Sequence, residues 1–599
     1  MDRTAASPSR EPAWGRDLLF LALALAAFLF SLLGVRALWS PDEGRYSEIP
    51  REMVASGDWV TPRLDGVKYF EKPPLVYWLQ GIAIRLFGVR EWGLRLVPAL
   101  FALAGCLAVY AAGRHLFGRR AGLLAAAVLA TSPLYYFLSQ SITLDMPLAV
   151  LLTGTLSAAL LGLEAPPGGR RRALLWTAYA GAALATMTKG LVGFLLPGLV
   201  LLVWVALARR WRRLLPLHLL SGLAIFLAIA LPWHLLVARA NPDFAYFYFV
   251  HEHFLRYATT IHRRYQPFWF FVPVLLAGMV PWTAFLPRAL GLRRGDPRRA
   301  AALFLLLWAG LVLAFFSASS SKLIPYVLPC LPPLALLLGR ALAAAWDEDG
   351  RRLRAAFAFL LASGVGLAAI LVALPWALAG NRDVAHAAGL LGGWLYAAAA
   401  ALALAGAAPF VLARAGRPRA ALAALVAGAA LVLSTLAAAA PAFDGERSVK
   451  SLALQLKPLL RPGDEVAAYH DYPQDLPVYL GRTITVAAYQ GELEFGIHAE
   501  DTGGWMIDEA TFWRRWAGPR RMYAVMEPDR FAALAAAGRP MALLAADGGH
   551  ALVANAAAAG TADPVPSMFP TSRRETVTER GPGPHGKATH GDGHPRPSD

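Results

Sequence analysis

The chain has few cysteines and few charged residues. It has two cysteines in 599 residues, Cys106 and Cys330, and both lie in apolar stretches far apart in the sequence. This excludes a disulfide framework and a cysteine-ligated metal site. Charged residues make up 16% of the chain and apolar residues 57%, whereas soluble chains have about 25% and about 45–50%. The composition therefore indicates a membrane protein.

The chain shows no obvious signal-peptide cleavage site after its first apolar run, so we expect that run to be a retained helix. A bilayer core needs about 20 apolar residues per helix. Runs of this kind predict thirteen membrane helices, at residues 16–37, 93–113, 121–140, 144–164, 173–188, 190–208, 214–238, 268–288, 301–317, 323–345, 355–378, 390–413 and 418–440.

The distribution of arginine predicts the orientation. With a cytoplasmic N-terminus, six short loops are cytoplasmic and each carries at least three arginines, as the positive-inside rule requires. The formal net charge of +17 is thereby explained without a nucleic-acid partner. The long segments 38–92 and 239–267, together with the polar part from residue 442, then share the opposite, non-cytoplasmic face.

The chain divides into four regions by composition. Residues 1–14 and 556–599 are polar and predict disorder. Residues 15–441 form the predicted transmembrane domain. Residues 442–555 alternate short strand-like and helix-like patterns, which predicts a small α/β domain on this non-cytoplasmic face.

Adjacent carboxylates open the first long loop. Asp42 and Glu43 follow Pro41, a residue that suits a helix start. Such a pair can supply a general base or bind a cation, whereas the alternative is that Asp42 caps the next helix. Asp145, at the mouth of a span, is a second candidate, because ionisable groups near hydrocarbon usually pair or function.

Basic residues share this face with the carboxylates. They are suited to an anionic lipid headgroup, because phosphate oxygens accept hydrogen bonds from lysine and arginine. The alternative for Lys72 is a lysine that merely reaches toward the membrane surface. These candidates for substrate binding are Lys72, Lys189, Arg256 and Lys322, and Tyr326 lies with Lys322 at the entrance of a span. Across two loops, either His251 or His253 could join Glu71 as a cation ligand.

Five motifs resemble the bacterial 4-amino-4-deoxy-L-arabinose lipid A transferases, which belong to the GT-C superfamily together with the protein O-mannosyltransferases. They are PDEGRYSEIPREM, SGDWVTPRLDGVKYFEKPPLVYW, TLDMP, MTKGLVGFLLPG and SKLIPYVLPC, in this order. The resemblance covers most of residues 15–445 and implies a GT-C fold of about thirteen transmembrane helices.

The resemblance also implies roles for individual residues. Asp42 and Asp145 match the important carboxylates, and Glu43 and Arg45 belong to the same first-loop motif as Asp42. Lys72, Arg256 and Tyr326 match positions that hold the carrier phosphate, and Lys189 matches another important lysine. Glu71 and His251 match ligands of a divalent metal, with zinc expected. No nucleotide cofactor is expected.

The expected activity is transfer of 4-amino-4-deoxy-L-arabinose from undecaprenyl phosphate to lipid A, by a monomeric enzyme at the periplasmic face of the inner membrane. The alternative enzyme acts on a protein or on another glycan or lipid. A transporter or flippase is a further alternative, but transporters usually carry related halves, and the sequence shows no internal repeat. Whether Asp42 acts as a base or as an electrostatic stabiliser depends on the acceptor.

Overall fold

The computed structural model of the chain describes residues 14–255, 266–292, 295–347, 353–378 and 380–560. Most of them form a helical bundle. Its helices are α1 (Trp14–Phe30), α2 (Asp42–Ser56), α3 (Leu75–Phe87), α4 (Glu91–Phe117), α5 (Arg119–Ala130), α6 (Pro133–Ser139), α7 (Asp145–Glu164), α8 (Gly169–Lys189), α9 (Val192–Leu207), α10 (Leu219–Ala240), α11 (Phe271–Gly278), α12 (Leu286–Ala289), α13 (Arg299–Ala318), α14 (Leu331–Asp347), α15 (Arg354–Ala377), α16 (Arg382–Leu391), α17 (Trp394–Arg414) and α18 (Pro418–Ala439).

Shorter helical segments connect several of these elements. A π-helix covers Tyr246–Leu255. Turns of 3-10 helix cover Trp211–Leu214, Trp282–Phe285, Ile324–Cys330, Ala440–Phe443, Lys457–Leu459 and Gly491–Leu493.

Membrane-spanning helices dominate the bundle, although their predicted number is not confirmed. Within the described ranges, eight helices are long and apolar enough to cross a membrane, or up to ten if each of two bent pairs is one span. Every predicted run overlaps a helix or a bent pair, but the runs at 16–37, 173–188 and 190–208 lie on α1, α8 and α9, which do not meet the same criterion.

The two bent pairs have a chemical cause. The chain bends by 66° between α5 and α6 and by 101° between α11 and the segment Trp282–Ala289. Pro133 and Pro281 stand at these breaks. Proline has no backbone N–H and disfavours helical geometry in the residue before it, so each apolar run is broken.

The first long loop is folded rather than irregular. After α2, strands β1 (Arg63–Leu64) and β2 (Val67–Lys68) form an antiparallel hairpin. Asp65 and Gly66 at its turn have φ of 54° and 80°, the left-handed conformation that a two-residue hairpin turn needs and that Asp-Gly favours. The loop therefore has the regular structure needed to hold side chains in fixed places.

The C-terminal region is a small domain with a six-stranded mixed sheet. Its strands are β3 (Glu465–Tyr469), β4 (Thr485–Ala487), β5 (Met506–Ile507), β6 (Met522–Met526), β7 (Ala542–Ala546) and β8 (Ala551–Ala554). The sheet order is β5-β4-β3-β6-β8-β7, parallel from β5 to β6 and antiparallel beyond. Every residue of β3 and β6 is buried, as is usual for parallel strands covered on both faces.

Short helices surround this sheet. They are α19 (Asp444–Arg447), α20 (Lys450–Leu456), α21 (Asp475–Leu480), α22 (Glu494–Ala499), α23 (Glu509–Trp516), α24 (Pro528–Ala536) and α25 (Ala556–Ala559). The predicted disordered tail begins too early, because Asn555 caps α25 with a hydrogen bond from the N–H of Ala558. The predicted disorder at 1–14 also differs, since α1 begins at Trp14. Residues 1–13 and 561–599 lie outside the described residues.

The first loop and the sheet domain share one apolar core. Leu38, Ile49 and Tyr77 from the loop side belong to the same buried cluster as Val466 and Leu476 from the domain. Burial of apolar area is the main stabilising contribution at such contacts. Consequently the domain fixes the position of α2, which carries the candidate catalytic residues.

Candidate functional site

Asp42 lies in the first turn of α2 and is partly open to solvent. Its side chain is 53% exposed, and its Oδ1 lies 3.4 Å from Arg45 Nη1. The N-cap of α2 is Pro41, without a side-chain capping bond, so the capping alternative for Asp42 does not describe this helix start. The carboxylate therefore projects from a helix terminus toward the rest of the site.

Glu43, the second predicted catalytic residue, is buried in an ion-pair cluster. Its carboxylate accepts two hydrogen bonds of 2.9 Å from Arg95 and also pairs with Arg36. The backbone N–H groups of Trp39 and Ile142 donate to it at 3.0 and 3.2 Å. Burial alone would raise the pKa of Glu43, but the two guanidinium groups lower it to about 2. Glu43 thus anchors the loop to α4.

The sheet domain holds the start of α2 directly. Ser40 donates to Asp475 at 2.6 Å, and Asp475 is fully buried. Arg45 reaches Glu492 at 3.2 Å. Gly44 packs so closely that a Cβ there would lie 2.4 Å from the backbone nitrogen of Asp475. Residues from both halves of the chain therefore position Asp42.

A chain of charged groups joins the first loop to the π-helix. Lys72 Nζ lies 3.0 Å from Glu252 Oε2 and 3.7 Å from Glu71 Oε2. Glu252 Oε1 lies 3.6 Å from His251 Nδ1. The side chain of Lys72 is only 11% exposed, so it is not a lysine that merely reaches toward the membrane surface. Two segments distant in sequence meet at this point.

A second charged group forms where α7 begins and α8 ends. Lys189 Nζ lies 2.5 Å from Asp145 Oδ1 and 4.6 Å from the centre of the Tyr326 ring. All three residues were candidates on sequence grounds, and the structure brings them into contact. The face of the Tyr326 ring attracts the ammonium of this partly buried lysine.

Tyr46 links these groups electrostatically. Its hydroxyl is buried, which raises its pKa, and the charges of Asp42, Glu71 and Asp145 raise it further. Three carboxylates from three elements therefore lie within electrostatic range of one hydroxyl. The predicted residues converge on one face of the bundle.

The remaining two predicted substrate-binding residues are Arg256 and Lys322. Arg256 lies outside the described residues. Lys322 is buried, and its ammonium donates to the Ser319 carbonyl at 2.5 Å, in the turn between α13 and the segment Ile324–Cys330.

Glu71 and His251, the predicted metal ligands, both lie beside this chain of charged groups. Within the part of the chain that the structure describes, no group of three His, Cys, Asp or Glu side chains is arranged to hold a metal ion. Instead, the Lys72 ammonium occupies the space between Glu71 and Glu252. A second cation there would meet a like charge. A divalent ion on Glu71 and His251 therefore stays a prediction, and no step is derived through one.

Sequence reasoning missed three contributors. Glu252 lies between His251 and His253 in the sequence. Its burial beside Lys72 depends on how the chain folds, and the spacing of these residues does not reveal it. Arg95 and Glu492 are similar cases, because their partners lie 52 and 447 positions away. The one signal that could have identified Arg95 in advance is that it is a charged residue within an apolar run.

Family models match two parts of the chain. Residues 71–235 match the model described as dolichyl-phosphate-mannose-protein mannosyltransferase. Residues 452–555 match the model described as aminoarabinose transferase C-terminal domain.

Solved structures extend this similarity over nearly the whole chain. The crystal structure of ArnT from Cupriavidus metallidurans bound to undecaprenyl phosphate superposes with a TM-score of 0.81 and 32% identity, covering 91% of this chain and 99% of that one. The chain belongs to the ArnT aminoarabinose transferase family. The apo structure of the same ArnT gives a TM-score of 0.79 and 33% identity, again over 91% of this chain and 98% of that one.

Curated relatives of the ArnT family match a shorter part. The undecaprenyl phosphate-alpha-4-amino-4-deoxy-L-arabinose arabinosyl transferase of Edwardsiella ictaluri is 34% identical over 60% of this chain and 66% of its own length. The protein of that name in Pseudomonas aeruginosa strain UCBPP-PA14 is 37% identical over 56% of this chain and 60% of its own length. These alignments span less than two thirds of either relative. The family's GT-C fold, predicted from the motifs, is confirmed.

Proposed function

We propose that this chain transfers 4-amino-4-deoxy-L-arabinose from undecaprenyl phosphate to lipid A at the periplasmic face of the bacterial inner membrane. The observation that carries the proposal is the convergence of Asp42, the Lys72–Glu252 pair and the Asp145–Lys189 pair on one face. The names of the curated relatives give undecaprenyl phosphate as the carrier and 4-amino-4-deoxy-L-arabinose as the sugar.

The two lysines suit the leaving group. As the bond between the anomeric carbon and the phosphate oxygen breaks, the electron pair stays on undecaprenyl phosphate and its negative charge grows. Lys72 and Lys189 would stabilise that charge more in the transition state than in the ground state. Each lysine now pairs with a carboxylate, so the donor phosphate exchanges for, or adds to, an existing ion pair.

The acceptor oxygen attacks the anomeric carbon from the face opposite the leaving phosphate, which inverts the configuration. A phosphate of lipid A is already anionic near neutral pH and needs no base. Asp42 then stabilises the positive charge that develops on the sugar. For a hydroxyl acceptor, Asp42 would instead accept the hydroxyl proton as a general base. Its exposure at the helix start leaves room for a substrate beside it.

A second candidate acceptor has one specific observation in its favour. Residues 71–235 match a model described for protein mannosyltransferases, so the same donor chemistry with a protein hydroxyl as acceptor is the alternative. The match to the aminoarabinose transferase C-terminal domain over 452–555 favours aminoarabinose as the sugar, and the motif resemblance favours lipid A as its acceptor.

The test is mass spectrometry of lipid A from cells with and without the chain. We expect a pentosamine mass shift on lipid A that is lost on deletion and restored by the wild-type chain but not by Asp42→Asn. Normal membrane insertion of Asp42→Asn is the required control. Unchanged lipid A in all strains would reject this acceptor and direct the search to glycosylated proteins.

A zinc ion on Glu71 and His251 stays a prediction from the family resemblance. It is tested by counting zinc in purified wild type and in the Glu71→Ala, His251→Ala double variant. An equal content in the two proteins would exclude these residues as ligands.

A further inference from the structure

An apolar cavity lies between helices α7, α8, α9 and α10. Its volume is about 510 Å³, and its lining is apolar apart from Thr155 and the hydroxyl of Tyr179. Several lining residues are exposed on the outer surface of the bundle, among them Trp211 at 52%, Leu219 at 60% and Leu202 at 59%. In a membrane the cavity is therefore a groove that lipid can enter from the side.

Arginines surround the end of this groove where α9 and α10 are joined. Arg209, Arg210, Arg212 and Arg213 line a second cavity together with Trp211, and Trp211 also lines the apolar groove. The two cavities thus share one lining side chain. An apolar slot that ends in a cluster of cations has the polarity pattern of an anionic lipid.

The arginine segment is held in a fixed conformation. Arg171, at the start of α8, is fully buried. Its guanidinium donates to the carbonyls of Ala165 and Pro216 at 3.3 Å, and to that of Arg213. Arg210 pairs with Glu164 at 2.6 Å. Arg171 therefore fixes the backbone of residues 213–216, and four arginines line the cavity beside the carboxylate of Glu164.

This end of the bundle is remote from the candidate active site. Helix α8 runs from Gly169 to Lys189, and at 1.5 Å per residue these ends are about 30 Å apart. Lys189 belongs to the site described above, whereas Arg171 holds the arginine segment. A phosphate bound beside Lys189 and one bound at the arginines are consequently different ligands.

We propose that the groove and the arginine segment together bind an anionic glycerophospholipid. Its acyl chain would lie along the apolar lining, and its phosphate would accept hydrogen bonds from Arg209, Arg212 and Arg213. Basic pockets between membrane helices bind anionic headgroups in this way, and arginine can hold two phosphate oxygens at once. The charge complementarity selects this occupant over a zwitterionic lipid. The inference is independent of the proposed transfer reaction.

The experiment measures lipid retained by the full-length protein, purified in mild detergent and offered phosphatidylglycerol or phosphatidylcholine with identical acyl chains. Native mass spectrometry counts bound lipids. Gly198→Leu fills the groove, because Gly198 lines it and a Cβ there would meet nothing within 4 Å. Gly366→Leu is the matched control, since Gly366 lies in another span and its Cβ would also meet nothing within 4 Å.

A second pair of variants tests the charge. Arg209, Arg212 and Arg213 are replaced together by glutamine, and Arg414, Arg417 and Arg419 are replaced in the same way as the control. Because each arginine near an anionic lipid contributes severalfold in affinity, we expect phosphatidylglycerol retention to fall at least about tenfold in the first triple variant only.

The result expected is preferential retention of phosphatidylglycerol, lost in Gly198→Leu and in the first triple variant and kept in both controls. Equal retention of the two phospholipids, or no effect of Gly198→Leu, would overturn the proposal. So would finding that the lipid lost from these variants is a polyprenyl phosphate. If the triple variant fails to insert into the membrane, the result for Gly198→Leu alone decides the proposal. Gly198→Leu leaves the positive charge of the loop unchanged, and that charge orients the chain.

Discussion

Gly44→Ala tests whether the sheet domain sets the position of Asp42. A Cβ at Gly44 would lie 2.4 Å from the backbone nitrogen of Asp475 and 2.5 Å from the carbonyl carbon of Gln474, whereas ordinary contact begins at 3.4 Å. Because both conflicting atoms are backbone, α2 and α21 must separate by about 1 Å. Overpacking of this kind costs about 1–3 kcal/mol, and alanine recovers about 1 kcal/mol in a helix. The variant should therefore fold with at most about 2 kcal/mol of lost stability.

The effect on turnover should be much larger than the effect on stability. A displacement of about 1 Å in a catalytic arrangement can cost about 100-fold in rate, so we expect transfer to fall by about that factor. The assay is transfer from undecaprenyl-phosphate-linked aminoarabinose to lipid A in vesicles, with thermal unfolding measured on the same preparation. Gly154→Ala is the control, because its Cβ would meet nothing within 4 Å in α7. Wild-type turnover in a folded Gly44→Ala protein would refute the positioning argument.

Three further predictions concern charged residues. Lys72→Ala should weaken undecaprenyl phosphate binding by about 10- to 100-fold, as expected for the loss of one charged hydrogen bond. Lys457→Ala, at an exposed lysine, is the control and should not weaken binding. Equal affinities of wild type and Lys72→Ala would remove Lys72 from the phosphate site. Glu43→Ala should destabilise the fold by about 3–5 kcal/mol, because it leaves the buried guanidinium of Arg95 without its carboxylate; an unchanged melting temperature would contradict the anchoring role. Because the pKa of Glu43 is lowered to about 2 from 4.5, its contribution is present above pH 4.5 and is lost as the pH falls toward 2. Wild type should therefore lose stability over this range faster than Glu43→Ala, and parallel curves would refute that assignment.

The positions of the helices could be predicted from the sequence because apolar runs are local. Each predicted run falls on a helix or a bent pair. Pro133 and Pro281 explain the two bends, but only once the runs that contain them are known to be helical. The number of spans was less predictable, since a run such as 190–208 contains a helix of only 16 residues.

The candidate site was predictable as a set of residues and not as a set of contacts. Asp145, Lys189 and Tyr326 stood out as polar groups at the ends of apolar runs, and they meet in the structure. The separation of roles between Asp42 and Glu43 could not be read from adjacent positions, because it depends on which side of α2 faces Arg95. The contacts from Asp475 and Glu492 were equally out of reach, because they depend on how the sheet domain docks.

The hydrogen bond from Ser40 to Asp475 has a consequence for the biosynthesis of the enzyme. Its two partners are 435 residues apart, and β6, at the centre of the domain's sheet, is completed on one side by β8 at Ala551–Ala554. The ribosome must therefore synthesise nearly the whole described chain before the first loop acquires its final form. The helical bundle can enter the membrane before the carboxylates of the first loop reach their final positions. A chain stopped after residue 440 should be an inserted protein that leaves the lipid-linked sugar intact.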